Sequence, residues 1–497
     1  MFLVVTASSD TYITDKIVST KRAVSGNVGQ AGTIDLFKLW DESDAITGSV
    51  EISRALISFD WGQIQALTAS SLNLNNFKAY LKMISVIGGQ PAPTDFTLSL
   101  FPLSSSFSEG IGRDVSSYSH IDASNFLSRS SGVLWNMEGA NSGGLLGSSN
   151  IDYITSGNLN DGLGVRSFEA SQRFINGNED LYIDITDFVS SSIVGLLPQP
   201  SFRLSFSGSQ EADNTTYFVK RFGSRNAKNP ILRPRVEIFW DDSRVDDREQ
   251  AVFDVSGNLY LTNTVRGIKT NLVSGSSLTS IAGDSCILVR FTTGSYTRYF
   301  TGSQDQQSGF IDGVYKAPFI FASSDTTTIT GSVTLSDAVR ASGSITFEEI
   351  WTSLDETTVF KSGSLTVNYN TPDSYVFSND KLKVNCFGPS SAPPGLVLIR
   401  CKFFDLSLED RSSKFSIERK PVPVSGLYRV IDLQTKQVYI DYNSMGTKLS
   451  LDQNGNFLQF YSDSIPYGRQ VYFEFKIDYN GENRVISDEG FTFSLRS

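Results

Sequence analysis

Histidine is almost missing from this chain: His120 is the only one in 497 residues. Any Ser/His/Asp or Cys/His catalytic arrangement therefore depends on that one side chain. It stands among Ser116, Ser117, Ser119 and Asp122 in irregular sequence and reads as an ordinary loop histidine. Cysteine is nearly as scarce. Cys286, Cys386 and Cys401 are scattered over the second half without a CxxC pair, so neither a disulfide framework nor a zinc site is indicated, and buried free thiols are expected. Long apolar runs are absent as well. The opening MFLVVTASSD has no basic leader and is too short for a signal peptide or membrane span, which implies synthesis and folding in a cytoplasm. Without an export signal, the Asn214-Thr215-Thr216 sequon is not expected to carry a glycan. Positive charge is in deficit: 42 basic against 53 acidic residues leave a net charge of −11, which argues against non-specific binding to nucleic acid or an anionic membrane. No 3.6-residue apolar period persists for long, and only short helical turns fit, near Trp61 to Ala69 and Ile185 to Ile193.

What the sequence does have is 40 glycines, many Ser and Thr, and 12% aromatic residues, the material of short strands joined by tight turns. Strand alternation is clearest at Phe77, Ala79, Leu81 and Met83 against Lys78, Tyr80 and Lys82. Phe96, Leu98 and Leu100 repeat it, as do Leu181, Ile183 and Ile185, and then Phe202, Leu204 and Phe206 against Arg203, Ser205 and Ser207. A one-sided pattern repeated this often predicts antiparallel sheets packed face to face, an all-β fold of tandem sandwiches. Tyr217 to Phe222 and Val236 to Trp240 read as the closing edge of a first domain. The polar run after Asp241 and Asp242 reads as a linker.

Three domains are predicted on that basis: residues 1–242, a jelly roll; 243–370, an immunoglobulin-like sandwich with turns about every ten residues; and 371–497, a further sandwich. Within the first, the pattern fades between Ser104 and Asn178 into Gly, Ser, Asn and Asp. An irregular insertion of that length usually carries contacts or function. Ordering it costs about 1 to 2 kcal/mol of backbone entropy per residue, which its scattered apolar side chains do not offset alone. An assembly interface through Phe126, Leu127, Leu134, Trp135, Leu145 and Leu146 is therefore preferred over a loop that merely covers its own domain.

Chemistry finds little to work with. Asp254-Val-Ser-Gly-Asn258, Asp452-Gln-Asn-Gly-Asn456 and Asp478-Tyr-Asn-Gly-Glu482 read as tight turns in which Gly supplies positive φ. Asp452, Asn454, Asn456 and Asp463 have calcium-loop spacing. The sixth position is Phe457 where that loop needs Gly, and flanking helices are lacking, so no metal is assigned. Gly110-Ile-Gly-Arg113 and Gly143-Gly-Leu-Leu-Gly147 lack the strand, helix and GKS or GKT of a phosphate loop. A glycosidase needs two acids about 5 to 10 Å apart across a cleft. Glu348 and Glu349, Asp355 and Glu356, and Asp241 and Asp242 are adjacent, but neighbours on a strand face opposite ways. Trp40, Trp61, Trp135, Trp240 and Trp351 fit core packing better than a sugar-stacking platform.

Residues 1 to about 242 resemble the DNRLRE-type jelly-roll module, which is related to carbohydrate-binding modules. Ser9-Asp10-Thr11-Tyr12-Ile13 is similar to its opening strand and Arg54-Ala-Leu-Ile-Ser-Phe-Asp60 to its "R-L-I-x-F-D". Lys78-Ala-Tyr-Leu-Lys82 is similar to its "A-x-L" strand, and Phe222-Gly-Ser-Arg225 with Arg233-Pro-Arg-Val-Glu-Ile238 to its closing elements. The typical tryptophan after the Phe96 to Leu103 strand is replaced by Phe107. The whole chain resembles virion structural proteins of tailed bacteriophages, those of the large T4-like phages of marine cyanobacteria among them. Lys220-Arg-Phe-Gly-Ser-Arg225, Trp240-Asp-Asp242, Asn258-Leu-Tyr-Leu-Thr-Asn-Thr-Val-Arg-Gly267, Gly426-Leu-Tyr-Arg-Val430 and Thr447-Lys-Leu-Ser-Leu-Asp452 carry it.

That resemblance implies a non-enzymatic structural part of the virion, in tail, baseplate, neck or head surface, with no cofactor. Its partners are other virion proteins and its own copies. The alternatives are a carbohydrate-binding adhesin on the virion, which takes host-surface carbohydrate, and a polysaccharide-degrading enzyme. Circular dichroism of the chain is expected to be dominated by strand; a helical majority would contradict the fold class.

Overall fold

The computed structural model describes residues 1–41, 49–68, 72–73, 76–89, 91–115, 122–158, 164–266, 268–369, 382–405, 421–479 and 482–496. His120 and the boundary drawn at residue 370 lie outside them. The fold is all-β, with antiparallel sheets stacked as sandwiches in series, and no helix among the described residues exceeds eight residues. The two helical turns read from sequence are Gly62–Leu67 and Thr186–Ile193. The chain gathers into two compact units, one of Leu3–Ala66 and Phe77–Phe239, the other of Met1–Phe2, Leu67–Asn76 and Trp240–Ser497.

In the first of these, a four-stranded sheet runs in the order Phe2–Thr6, Arg235–Trp240, Phe77–Met83, Leu181–Asp184. A seven-stranded sheet is centred on Ser201–Phe206 and Ser49–Ser58 and ends at Tyr217–Gly223. Of the two closing strands, Tyr217–Gly223 is an edge, whereas Arg235–Trp240 is internal to its sheet. Alternation sets the faces: Phe77, Ala79, Leu81 and Met83 are buried, with Lys78 exposed. Aromatic rings stack in the core, Phe96 on its cross-strand partner Phe174 at 4.9 Å and Phe188 of the short helix on Phe202 at 6.0 Å. One strand departs from the sequence reading. All six residues of Ser201–Phe206 are buried, Arg203 included, because the insertion lies over the face that was expected to meet water.

In the second unit, residues 257–368 form one six-stranded antiparallel sheet, and its inward side chains share a single core. The sheet curls: Phe253 N–H donates to Asn368 O and Asn368 N–H to Ala251 O, both at 2.9 Å, so the segment leading into the first strand rests on the last. At the centre Phe321 meets Phe347 (4.5 Å, stacked), Phe291 and Phe300. The short helix Leu335–Ser342 seals the core with Leu335 and Val339. It starts at a Thr334/Asp337 capping box and stops at Gly343 with φ +71°. Glu349, wholly buried, accepts two bonds from Arg248 and one from Trp351 Nε1, while Glu348 accepts from Thr292 on the other face.

Residues 382–496 make two further sheets of four and five strands, joined face to face through Phe403–Phe475 and Phe460–Phe493. Cys386 and Cys401 are buried cross-strand partners there, and Cys286 is half-buried. Asp452 to Gly455 is a two-residue hairpin with Gly455 at φ +100°. The first of the three turn signatures behaves otherwise. Asp254 itself takes the positive φ, +66°, with its carboxylate on Ser323 N and Oγ, and Gly257 begins a strand. Residues 480–481 of the third are not described. Phe321→Ala is expected to cost about 3 to 5 kcal/mol by emptying the ring cluster; urea unfolding measures it.

Candidate assembly interface

The insertion is built on short polar side chains used as surrogate backbone. Asp152, 2% exposed, accepts from the N–H groups of Asn136, Met137 and Ser142 at 2.7 to 3.0 Å, tying two stretches of backbone to one carboxylate. Asn125 Oδ1 accepts from the backbone of Leu127 and Ser128, both at 2.9 Å. Asn27, from outside the insertion, donates to Glu109 O and Ser124 O and accepts from Gly112 N. Each such side chain replaces bonds to water, so these backbone groups stay paired as the loop leaves solvent, although the buried Ser124 hydroxyl finds no partner. Buried Asp and Asn residues thus hold the described parts of this stretch in place from within the chain.

The six residues read as an interface separate into groups. Trp135 is 5% exposed, donates from Nε1 to Asn125 O, and packs with Ile13, Leu56, Leu103 and Ala140. Phe126 is 7% exposed, against Gly139. Both belong to this chain's own core and are corrected from anchors to packing residues, because the loop folds onto its own sheet. Leu127 and Leu146 are half-buried, Leu146 against Gly157. Leu134 at 71% and Leu145 at 46% remain exposed on short strands. Val133 and Met137, not singled out from sequence, are exposed as well. Four of the five tryptophans, Trp61, Trp135, Trp240 and Trp351, are buried and Trp40 is half-buried, so they form cores and no exposed stacking platform.

Where the insertion leaves the first strands, Asp10, Glu109 and Arg225 form a knot. Asp10 accepts from Arg225 N at 2.6 Å and gives its own N–H to Glu109 (2.9 Å), and the Arg225 guanidinium pairs with Glu109. Burial is the main cause that pushes the Asp10 carboxyl up to about 7, with the nearby Glu109 charge adding to it.

Elsewhere the sites weighed from sequence are engaged structurally. Asp452 holds Arg400, and Asn456 is buried with its amide on Val424 and Ser450. Asp241 is paired with Lys448, and Asp355 with Ser353 and Thr357.

The class defined by this architecture is an all-β protein of serial sandwiches with a polar-knit insertion in the first. No protein-family model matches the chain, and no curated protein sequence is similar to it. Among solved structures, it is similar to a Corynebacterium diphtheriae protein described as membrane anchored (9% identity, 100% of this chain and 97% of that one, TM-score 0.15). Others are the Plexin A4 extracellular region (10% identity, 48% and 27%, TM-score 0.13) and a Salmonella alpha-2-macroglobulin (7% identity, 98% and 28%, TM-score 0.16). At such scores the likeness carries no argument. No helix among the described residues is long and apolar enough to cross a membrane.

The raised Asp10 value fixes a pH dependence. The folded chain keeps a proton that the unfolded chain releases near pH 4, so stability is greatest below that pH and declines as pH rises toward 7. Asp10→Asn, which can still accept from Arg225, is expected to remove this decline and to stabilise at pH 8 by up to about 4 kcal/mol. Urea titrations from pH 4 to 8 test it; an unchanged slope refutes it.

Proposed function

We propose that this chain is a structural component of a tailed-bacteriophage virion, placed in tail, baseplate, neck or head surface and acting through contacts with other virion proteins and its own copies. One observation carries the reading: Leu134 and Leu145 stand exposed on backbone that buried Asp152 and Asn125 already hold in place. A preformed apolar projection loses little entropy on docking, and each leucine buried contributes roughly 1.5 to 3 kcal/mol. The sequence resemblance to phage virion proteins supports the same role. So does the use of acidic residues as structural fasteners: Glu349 is consumed by Arg248 and Trp351, and Glu211 by Arg54.

Deleting the loop is a poor test, since it removes Trp135 from the core. Leu134→Asp with Leu145→Asp keeps Trp135 and Phe126 in the core. The double variant is expected to fold with an unchanged urea midpoint and yet be missing from purified virions, as counted by mass spectrometry of separated heads and tails. Normal incorporation would refute the interface, and absence of the native chain from purified particles would refute the virion role.

A further inference from the structure

Within the second unit, a cavity of about 530 Å³ opens between the curled sheet and the sandwich that follows it, inside the roughly 300 to 1,000 Å³ range of ligand sites. Its walls are rigidly joined. Leu451 N–H donates to Arg244 O at 2.8 Å and Asp246 N–H to Leu451 O at 3.0 Å, while the Asp246 carboxylate holds Arg248, which in turn grips Glu349. The stretch read from sequence as a linker is thus hydrogen-bonded to one sandwich and ion-paired to the other.

Most charges at this cavity are paired. Arg244 is paired with Asp305 at 2.7 Å, Arg400 with Asp452 at 2.5 Å, and Asp246 with Arg248. The side chain of Lys269, which lines the cavity and is open to solvent, is in no ion pair among the described residues. Lys361 has only a neutral partner, Gln453 Oε1 at 2.9 Å. Crowding by protein atoms, followed by repulsion from Arg244, draws the Lys269 ammonium below its ordinary value, and burial followed by Arg248 does the same to Lys361. Asp305 and Asp242 attract Lys269, and Glu349 and Asp246 attract Lys361; Asp305 is engaged by Arg244, Asp242 by the Met1 amino group, and Asp246 and Glu349 together by the one Arg248. In a chain of net charge −11, four basic side chains line this cavity against two acidic ones, and Lys269 is in no ion pair among the described residues.

The rest of the lining selects among anions. Asn263, Gln453, Asn454 and Gln459 bring neutral amides, each with donor and acceptor atoms, and the Tyr260 ring adds a flat apolar surface. Hydroxyl groups are both donor and acceptor, and a pyranose ring has an apolar face. We propose that this cavity binds an anionic oligosaccharide, its carboxylate or sulfate groups neutralising Lys269 and Lys361 and its hydroxyls meeting the amides. The site is separate from the assembly surface at Leu134 and Leu145, so its failure leaves that reading untouched.

Isothermal titration of the full chain at low ionic strength tests it with four probes: trigalacturonate for carboxylate, a heparin-derived tetrasaccharide for sulfate, neutral cellotetraose, and tetraglutamate. At least one of the two anionic sugars is expected to bind, more weakly as salt is added. Lys269→Gln and Lys361→Gln should each weaken it by roughly five- to ten-fold, and Lys361→Arg should retain most of it. The Lys269 side chain is in no ion pair among the described residues, so its variant is expected to fold as the native chain does. No heat with either anionic sugar, equal binding of cellotetraose, tighter binding of tetraglutamate, or unchanged affinity in both glutamine variants would each overturn the proposal.

Discussion

Arg54 leaves the Ser49–Ser58 strand at 2% exposure and gives two bonds to Glu211, at 2.9 and 2.8 Å, and a third to the carbonyl of Gly139 at 2.7 Å. A charge this deeply buried is tolerable only with its partners in place, and removing one partner of such a pair costs about 3 to 5 kcal/mol. Gly139 lies in the insertion and Glu211 in the helix Gly208–Ala212, so one guanidinium fixes both to the sheet. A second cation shares the site. Arg203 lies 3.7 Å from the same carboxylate and 4.5 Å over the Tyr153 ring. Burial, then repulsion by Arg54, pulls Arg203 down to about 10. Burial alone would raise the Glu211 carboxyl; the bond and charge of Arg54, with Arg203 and Lys38, keep it below its ordinary value. Two guanidiniums against one carboxylate hold together because the insertion supplies what is missing: the Gly139 carbonyl, the Tyr153 ring and Asn141. The insertion and the charged face of the sheet thus need each other.

This dependence explains how so irregular a stretch keeps one conformation. Apolar burial contributes at Trp135 and Phe126, but the bonds that select the path come from Asp152, Asn125 and Asn27, whose short side chains cannot reach alternative partners. Leaving any of those buried N–H groups unpaired would cost about 1 to 3 kcal/mol. A competing path for the loop therefore loses several bonds together.

Part of this was legible in the sequence. Alternation at Phe77 to Met83 and at Leu181 to Ile183 identified strands and their inward faces, because those faces are set by neighbours one residue away. It misjudged Ser201–Phe206, since a polar residue on a strand marks the non-core face without saying whether water or a distant loop covers it. The Leu335–Ser342 helix was missed although Thr334, Asp337 and Gly343 spell its two ends; at eight residues it is too short for an apolar period to emerge. Of the interface residues, apolar character alone could not separate Trp135 from Leu134, which are consecutive in sequence and opposite in exposure.

The same limit governs charge. Local spacing gives no sign that Arg54 meets Glu211 157 positions away, or Arg244 meets Asp305 across 61. Net charge is no substitute, because an acidic total of −11 conceals both a buried site with more arginines than carboxylates and a cavity lined by four basic and two acidic side chains. The two situations differ in what completes them. Around Arg54 and Arg203 most further acceptors come from this chain, Arg203 Nε alone finding none, and the pair is closed to solvent. Beside Lys269 the wall is open, and the carboxylates that attract it, Asp305 and Asp242, are engaged by Arg244 and by the Met1 amino group. A cation that protein atoms partly strip of water without supplying a counter-charge lies in a site of favourable potential for an anion, and desolvation strengthens that attraction relative to open water. That is the physical difference between a charge used to fold a chain and a charge held ready for something outside it.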